Sequence, residues 1–262
     1  MTHYPFPDSR GTKIAFAAFF TAMLFLARDS MFTTAVIGFE KAQFLMLGVI
    51  CLLGVAFLIA NRRNLLQILK DRRMIVAGIA AAVLLLPMLV KRDWQLMYFS
   101  VLLCLLTAVL LSYFLTVREA AKYYVAILSV LGAYSVLAAY ILRIGVDSGA
   151  YAVPVFQNSM GFEFHNFFLS IVPDTYVKNR NFGIFREPGV YQFFLITALY
   201  LNNYEVEWKK TWQLWLVNGI LAATMVSTFA TGGVAEMGLL AIVLFLTRNG
   251  IGTSGYVPWR SG

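Results

Sequence analysis

The chain has 262 residues, 60% hydrophobic and 13% charged, with a net charge of +8. A mean hydropathy of +0.73 excludes an ordinary soluble domain and points to a polytopic membrane protein. The positive balance is then explained by cytoplasmic loops and implies no nucleic acid, while Cys51 and Cys104, both inside apolar runs, read as core or lipid-facing residues and not as a disulfide or metal site.

Arg10 and Lys13 precede a first apolar run, Ile14 to Ala27, which lacks a small-residue cleavage site and so reads as a span, not a signal peptide. Arg28 to Ser30 interrupts it, and Met31 to Phe39 reads as a short segment at the outer surface. Ala42 to Ala60 predicts a second span. The loop 61–73 follows, with Arg62, Arg63, Lys70, Arg72 and Arg73 against one acid, Asp71. Met74 to Val90, Gln95 to Thr116 and Tyr123 to Leu142 predict the third to fifth spans. Pro188 to Asn203 is a short sixth, Trp212 to Ala230 a seventh and Val234 to Thr247 a short eighth, leaving a tail, 248–262.

With the N-terminus inside, 13 of the 21 Lys and Arg residues are cytoplasmic and four (Arg28, Lys41, Lys91, Arg92) lie in short outer connections. The even span count returns the C-terminus inside and places the long connection 143–187 outside the cytoplasm. The expected fold is therefore all-α: a polytopic integral membrane helix bundle of about eight transmembrane helices in the plasma (inner) membrane. It forms a single membrane domain, 1–262, with one long extracytoplasmic loop.

That loop is where chemistry is expected. Its middle, Ser159 to Val172, contains Phe162, Phe164, Phe167 and Phe168. It reads either as an interfacial or re-entrant packing helix or as an apolar wall for a lipid-linked substrate. His165 within it is either a hydrogen-bonded structural residue or a catalytic one. Further on, Lys178, Arg180 and Arg186 bring three cations to a Glu187-Pro188-Gly189 step. Pro188 fits the first helical position because its missing N–H has no helical partner to lose. The free N–H groups and positive dipole end of that helix then lie beside Arg186, a ready anion site.

The run Arg180-Asn-Phe-Gly-Ile-Phe-Arg-Glu-Pro-Gly-Val-Tyr-Gln-Phe-Phe-Leu resembles the signature R-x-x-G-I-F-x-E-P-G-x-[YF] of the O-antigen ligase and polysaccharide polymerase (Wzy-like) superfamily. Ser227-Thr-Phe-Ala-Thr-Gly-Gly-Val resembles that superfamily's Ser/Thr-Gly step one span later. The resemblance implies a metal-independent membrane glycosyltransferase without a cofactor. Its partners would be polyprenyl-pyrophosphate-linked oligosaccharide, the lipid bilayer and other polysaccharide-export proteins. Such an enzyme transfers a glycan from undecaprenyl pyrophosphate to a sugar hydroxyl outside the cytoplasm. In these terms Arg180 and Arg186 bind pyrophosphate, and Glu187 orients an arginine or helps activate the acceptor. Gly183 and Gly189 allow close backbone approach, and Lys178, Tyr191, Thr231 and Gly232 complete the substrate contacts; His165 would be the loop histidine of the ligases. Without a metal, developing pyrophosphate charge needs arginines and helix N–H groups. Family members are usually longer, so the resemblance reads this chain as a truncated one.

Polymerisation of repeat units is the leading expectation, with ligation to a different acceptor the runner-up. Glu236, in the eighth span, raises a transporter or flippase with a proton path, although no second half repeats the first. A non-catalytic assembly partner is the third reading.

Overall fold

The computed structural model describes residues 39–60, 70–92, 115–157, 161–174 and 179–248, with scattered positions between 18 and 30 and between 101 and 112. Cα proximity divides the chain into two compact units, Met1–Ile127 with Phe156–Gly161, and Leu128–Val155 with Phe162–Gly262.

In the first unit, helix α1 (Phe39–Ala60) buries Ala42, Met46 and Ile50, one stripe at a spacing of four, and leaves Phe44, Leu45 and Leu52 exposed. Helix α2 (Arg72–Lys91) starts at Asp71, whose Oδ1 accepts from the Arg73 N–H at 2.8 Å, the usual N-cap device. Pro87 lies inside it, and it ends at Arg92 in the left-handed region. Only 6% of its most apolar stretch is buried.

Helix α3 runs continuously from Val117 to Asp147. Its start is a capping box, Thr116-x-x-Glu119: the Glu119 N–H donates to Thr116 Oγ1, and the Thr116 N–H donates to Glu119 Oε2 at 3.0 Å. A π-turn occupies Ala138–Leu142, the kind of local insertion often found where a helix serves a site.

A three-stranded sheet, order β1-β2-β3, follows α3. Its strands are β1 (Val155–Gln157), β2 (Glu163–Asn166) and β3 (Ile171–Pro173). Strands β2 and β3, both in the second unit, are antiparallel, with Phe164 opposite Pro173, His165 opposite Val172 and Asn166 opposite Ile171. Their turn is closed by the Phe167 N–H donating to the Ser170 carbonyl, and Asn166 Oδ1 accepts from the Phe168 N–H. Phe167 and Val172 pack on Ala138 and Ala139 of the π-turn, and the Tyr134 hydroxyl donates to the Phe167 carbonyl at 2.6 Å.

Three further helices complete this unit: α4 (Pro188–Tyr204), α5 (Thr211–Ser227) and α6 (Thr231–Arg248). Helix α4 buries Tyr191, Leu195, Ala198 and Leu199, and α5 buries Leu221, Thr224 and Met225. Gly132 permits a close approach of α3, since a Cβ there would lie 2.7 Å from Thr224 Oγ1 of α5.

Two expectations are corrected. The fold is not all-α, because the Phe-rich stretch forms the β2–β3 hairpin, not an interfacial or re-entrant helix. The burial pattern agrees with a strand: Phe164 is buried while its neighbours Glu163 and His165, on the other face, are only partly so. Nor does the structure fit about eight transmembrane helices. Among the described residues two helices, α2 and α3, are long and apolar enough to cross a membrane. Helices α4 and α5 have 17 residues each, about 25 Å at ~1.5 Å per residue, short of a ~30 Å hydrocarbon core. Each buries one apolar stripe within the unit and leaves another exposed, with Phe193 on α4 and Trp215 and Leu216 on α5 more than half exposed. Most of the runs 14–27 and 95–114, all of 31–38 and the tail beyond Arg248 lie outside the described residues.

Candidate functional site

The two segments that carried the resemblance meet in the second unit. Asn181, 1% exposed, donates from Nδ2 to Ser135 Oγ at 2.8 Å and to Ser227 Oγ at 2.9 Å. Its Oδ1 accepts from the Gly183 N–H at 2.9 Å, and its own N–H donates to the Ser227 carbonyl. Ser135 gives its one hydroxyl hydrogen to the Gly132 carbonyl and Ser227 gives its own to the Thr224 carbonyl. Tyr191 OH, 3.1 Å from Ser135 Oγ, is therefore the donor of that pair. Burial raises the Tyr191 pKa, with the Ser135 hydrogen bond acting the other way, so the phenol stays protonated as this role requires. The network closes the Arg180–Tyr191 loop against α3 and α5 with each of these polar groups satisfied.

Gly183 sits at φ +56°, and a Cβ there would meet the Tyr191 ring at 2.6 Å. The close approach it allows is that of Tyr191, so both residues serve the core of this loop. Beyond them Phe185 is fully buried, stacked on Phe194 at 4.4 Å.

Residues flanking this framework line a cleft of about 380 Å³, within the ~300–1,000 Å³ typical of ligand sites. Arg180 lines it from the loop, Gly189 and Gln192 from the first turns of α4, and Thr231, Gly232 and Glu236 from the first turns of α6. Phe193 and Phe229 form apolar walls. A Cβ at Gly189 or Gly232 would touch nothing within 4 Å, so these glycines leave the cleft open.

The corner between α5 and α6 is held by Gln192. Its Nε2 donates to Thr228 Oγ1 and to the Ala230 carbonyl, both at 2.6 Å. Thr228 in turn donates to the Met225 carbonyl, and Phe229 adopts φ +49°, a left-handed conformation costly for a bulky residue. The first turn of α6, whose N–H groups lack intrahelical partners, thus lines a cleft that Arg180 also lines. Chemically, it offers a guanidinium and a helix N-terminus for an anion, and a carboxylate, Glu236, for a hydroxyl.

The other expected residues lie apart from this cleft. Pro188 is the first residue of α4 and Glu187 is its N-cap residue, without a side-chain capping bond. Arg186 and Glu187 are exposed, with Nε and Oε1 3.8 Å apart, and neither lines the cleft. His165 is in β2, its Nε2 3.2 Å from Asp174 Oδ1; its Nδ1 is buried with no hydrogen-bond partner among the described residues. Arg143, which the sequence offered only as the start of the loop, is 6% exposed and donates to Asp147 Oδ2 and to the Asp174 carbonyl. Lys178 lies outside the described residues. Among the described residues no three of His, Cys, Asp and Glu gather as a metal site would need.

Asn181, Gln192 and Thr228 escaped the sequence reading. For Gln192 the available signal was a polar residue between Tyr191 and the apolar run Phe193–Ile196; Asn181, which follows Lys178, Asn179 and Arg180, carried no such contrast. No family model, curated protein or solved structure matches this chain.

Proposed function

We propose that the chain is a membrane glycosyltransferase of the Wzy-like kind, polymerising polyprenyl-pyrophosphate-linked polysaccharide repeat units outside the cytoplasm of a bacterial cell. What supports this reading is one observation: the Arg180–Leu195 and Ser227–Val234 segments, read separately, line one cleft with Arg180 and Glu236 in it. In this reading the acceptor hydroxyl attacks the anomeric carbon of the donor sugar. The carbon–oxygen bond to pyrophosphate breaks, and the lipid pyrophosphate leaves with the electron pair. Arg180 and the α6 N–H groups stabilise that charge, Glu236 takes the hydroxyl proton, and Arg186 at the head of α4 captures the lipid pyrophosphate as it arrives. Ligation uses the same donor chemistry and differs in the acceptor.

The test supplies purified full-length protein in lipid vesicles with a lipid-pyrophosphate-linked repeat unit. Lipid pyrophosphate should be released together with glycan of two or more units, and Arg180→Ala should remove both. Release of neither product by the unsubstituted chain, with its fold intact, would refute the reading.

A further inference from the structure

The first unit contains a second cavity, remote in sequence from the cleft above. It has a volume of about 630 Å³ and lies between the first turns of α2 and the helical positions Leu105, Ala108, Val109 and Ser112. Those four positions follow i, i+3, i+4, i+7 spacing and so share one helix face. Ala77 is buried at its floor and Val76 stands 57% exposed at its side.

The two ends of the cavity differ. Along its length it is apolar, made by Val76, Ala77, Leu105, Ala108 and Val109. At one end stand Arg72, Arg73 and Asp71. Arg73 is committed to structure: its Nε is 3.5 Å from Asp71 Oδ1 and its Nη1 donates to the Ser112 carbonyl. Asp71 is occupied with the α2 N-cap. Arg72 is exposed, with no ion pair among the described residues, and Lys70 beside it is exposed as well. The end thus offers net positive charge to a ligand whose remainder is apolar. The outer face of α2 above it, with Ile75, Ile79, Val83 and Leu86 all more than half exposed, is suited to hydrocarbon.

We infer that this groove holds one anionic glycerophospholipid, with an acyl chain along Ala77, Leu105 and Ala108 and its phosphate on Arg72. The inference rests on the membrane residence proposed above, but not on glycosyl transfer. An apolar channel ending in arginine matches a ligand that is apolar along its length and anionic at its head. Basic pockets at the cytoplasmic ends of membrane helices bind acidic lipid head groups, and the cations of 61–73 mark this end as cytoplasmic.

The experiment is native mass spectrometry of the full chain in neutral detergent, titrated with phosphatidylglycerol and, separately, with phosphatidylcholine of the same chains. The expected result is one phosphatidylglycerol retained at least fivefold more strongly than phosphatidylcholine. Arg72→Ala should lower that retention about fivefold, on the scale of one cation at a lipid surface. Ala108→Trp, which fills the groove without changing charge, should abolish it, and Lys91→Ala at the other end of α2 should leave it unchanged. Equal retention of the two lipids, or indifference to Ala108→Trp, overturns the inference while leaving membrane residence intact. Binding of inorganic phosphate that competes fully with the lipid and ignores Ala108→Trp overturns it in favour of a plain anion site. Recovery of the chain in the aqueous fraction of cells overturns both the inference and the membrane reading.

Discussion

Replacing Asn181 with alanine tests the framework beneath the cleft. The side chain gives two hydrogen bonds to buried hydroxyls and accepts one from the Gly183 N–H. Ser135 and Ser227 keep their own donor bonds to carbonyls in the variant, so each loses one acceptor contact, a net ~0.5–1.5 kcal/mol apiece. The Gly183 N–H is left buried without a partner, at ~1–3 kcal/mol. The sum is about 2–6 kcal/mol, and a loss of about 3 kcal/mol lowers Tm by roughly 6–12 °C in a chain of this size. Differential scanning fluorimetry of the detergent-solubilised protein reads this directly. Ser227→Ala orphans one Asn181 N–H and should cost about 1–3 kcal/mol. The double variant should fall short of the sum by ~0.5–3 kcal/mol, because the two residues share one bond. A Tm within about 2 °C of the unsubstituted protein for Asn181→Ala, well below the shift expected for a domain of this size, or strict additivity in the cycle, would refute the proposed network.

Further outcomes follow from the same geometry. Gly183→Ala places a Cβ at positive φ and 2.6 Å from the Tyr191 ring, so it should cost about 2–4 kcal/mol from backbone and packing strain together, measured by the same thermal assay. Gly189→Ala meets open space and gains up to ~1 kcal/mol of helix propensity, so a loss of transfer without loss of Tm would assign this glycine to the substrate. Gln192→Glu replaces two N–H donors with a carboxylate facing the Ala230 carbonyl and Thr228 Oγ1, and should cut transfer more than Gln192→Ala does. Glu236→Gln should lower the rate by ~10²–10⁴. Release of lipid pyrophosphate by the two proteins in vesicles compares them.

Much of the helical skeleton was legible in the sequence. Pro188 marks a helix start for a local reason, and α4 begins there; the start of α3 lies at Val117, six residues before the expected Tyr123. Span number was not legible, since hydropathy reports that a segment is apolar but not what covers it. In α4 and α5 that cover is partly each other, with polar Gln192, Asn202 and Thr224 buried among the apolar residues. The hairpin was missed because four phenylalanines within seven residues outweighed a two-residue alternation too short to register. Within the site, Arg180, Gly189, Thr231 and Gly232 are expected and share the cleft, together with Glu236, which the sequence raises only for the alternative of a transporter. Arg186 and Glu187 are expected from the signature resemblance and the Glu-Pro-Gly helix start, and His165 from the loop histidine of the ligases; none of the three lines the cleft. Tyr191 and Gly183 turned inward because a φ of +56° at Gly183 leaves room for the ring.

The measurement that bears most directly on the central claim is the chain-length profile of surface glycan in a polymerase-deficient host expressing this chain, alongside Arg180→Ala at matched membrane levels. The account predicts a ladder of long chains from the unsubstituted protein and single repeat units from the variant. Ladders of equal length from both would contradict it.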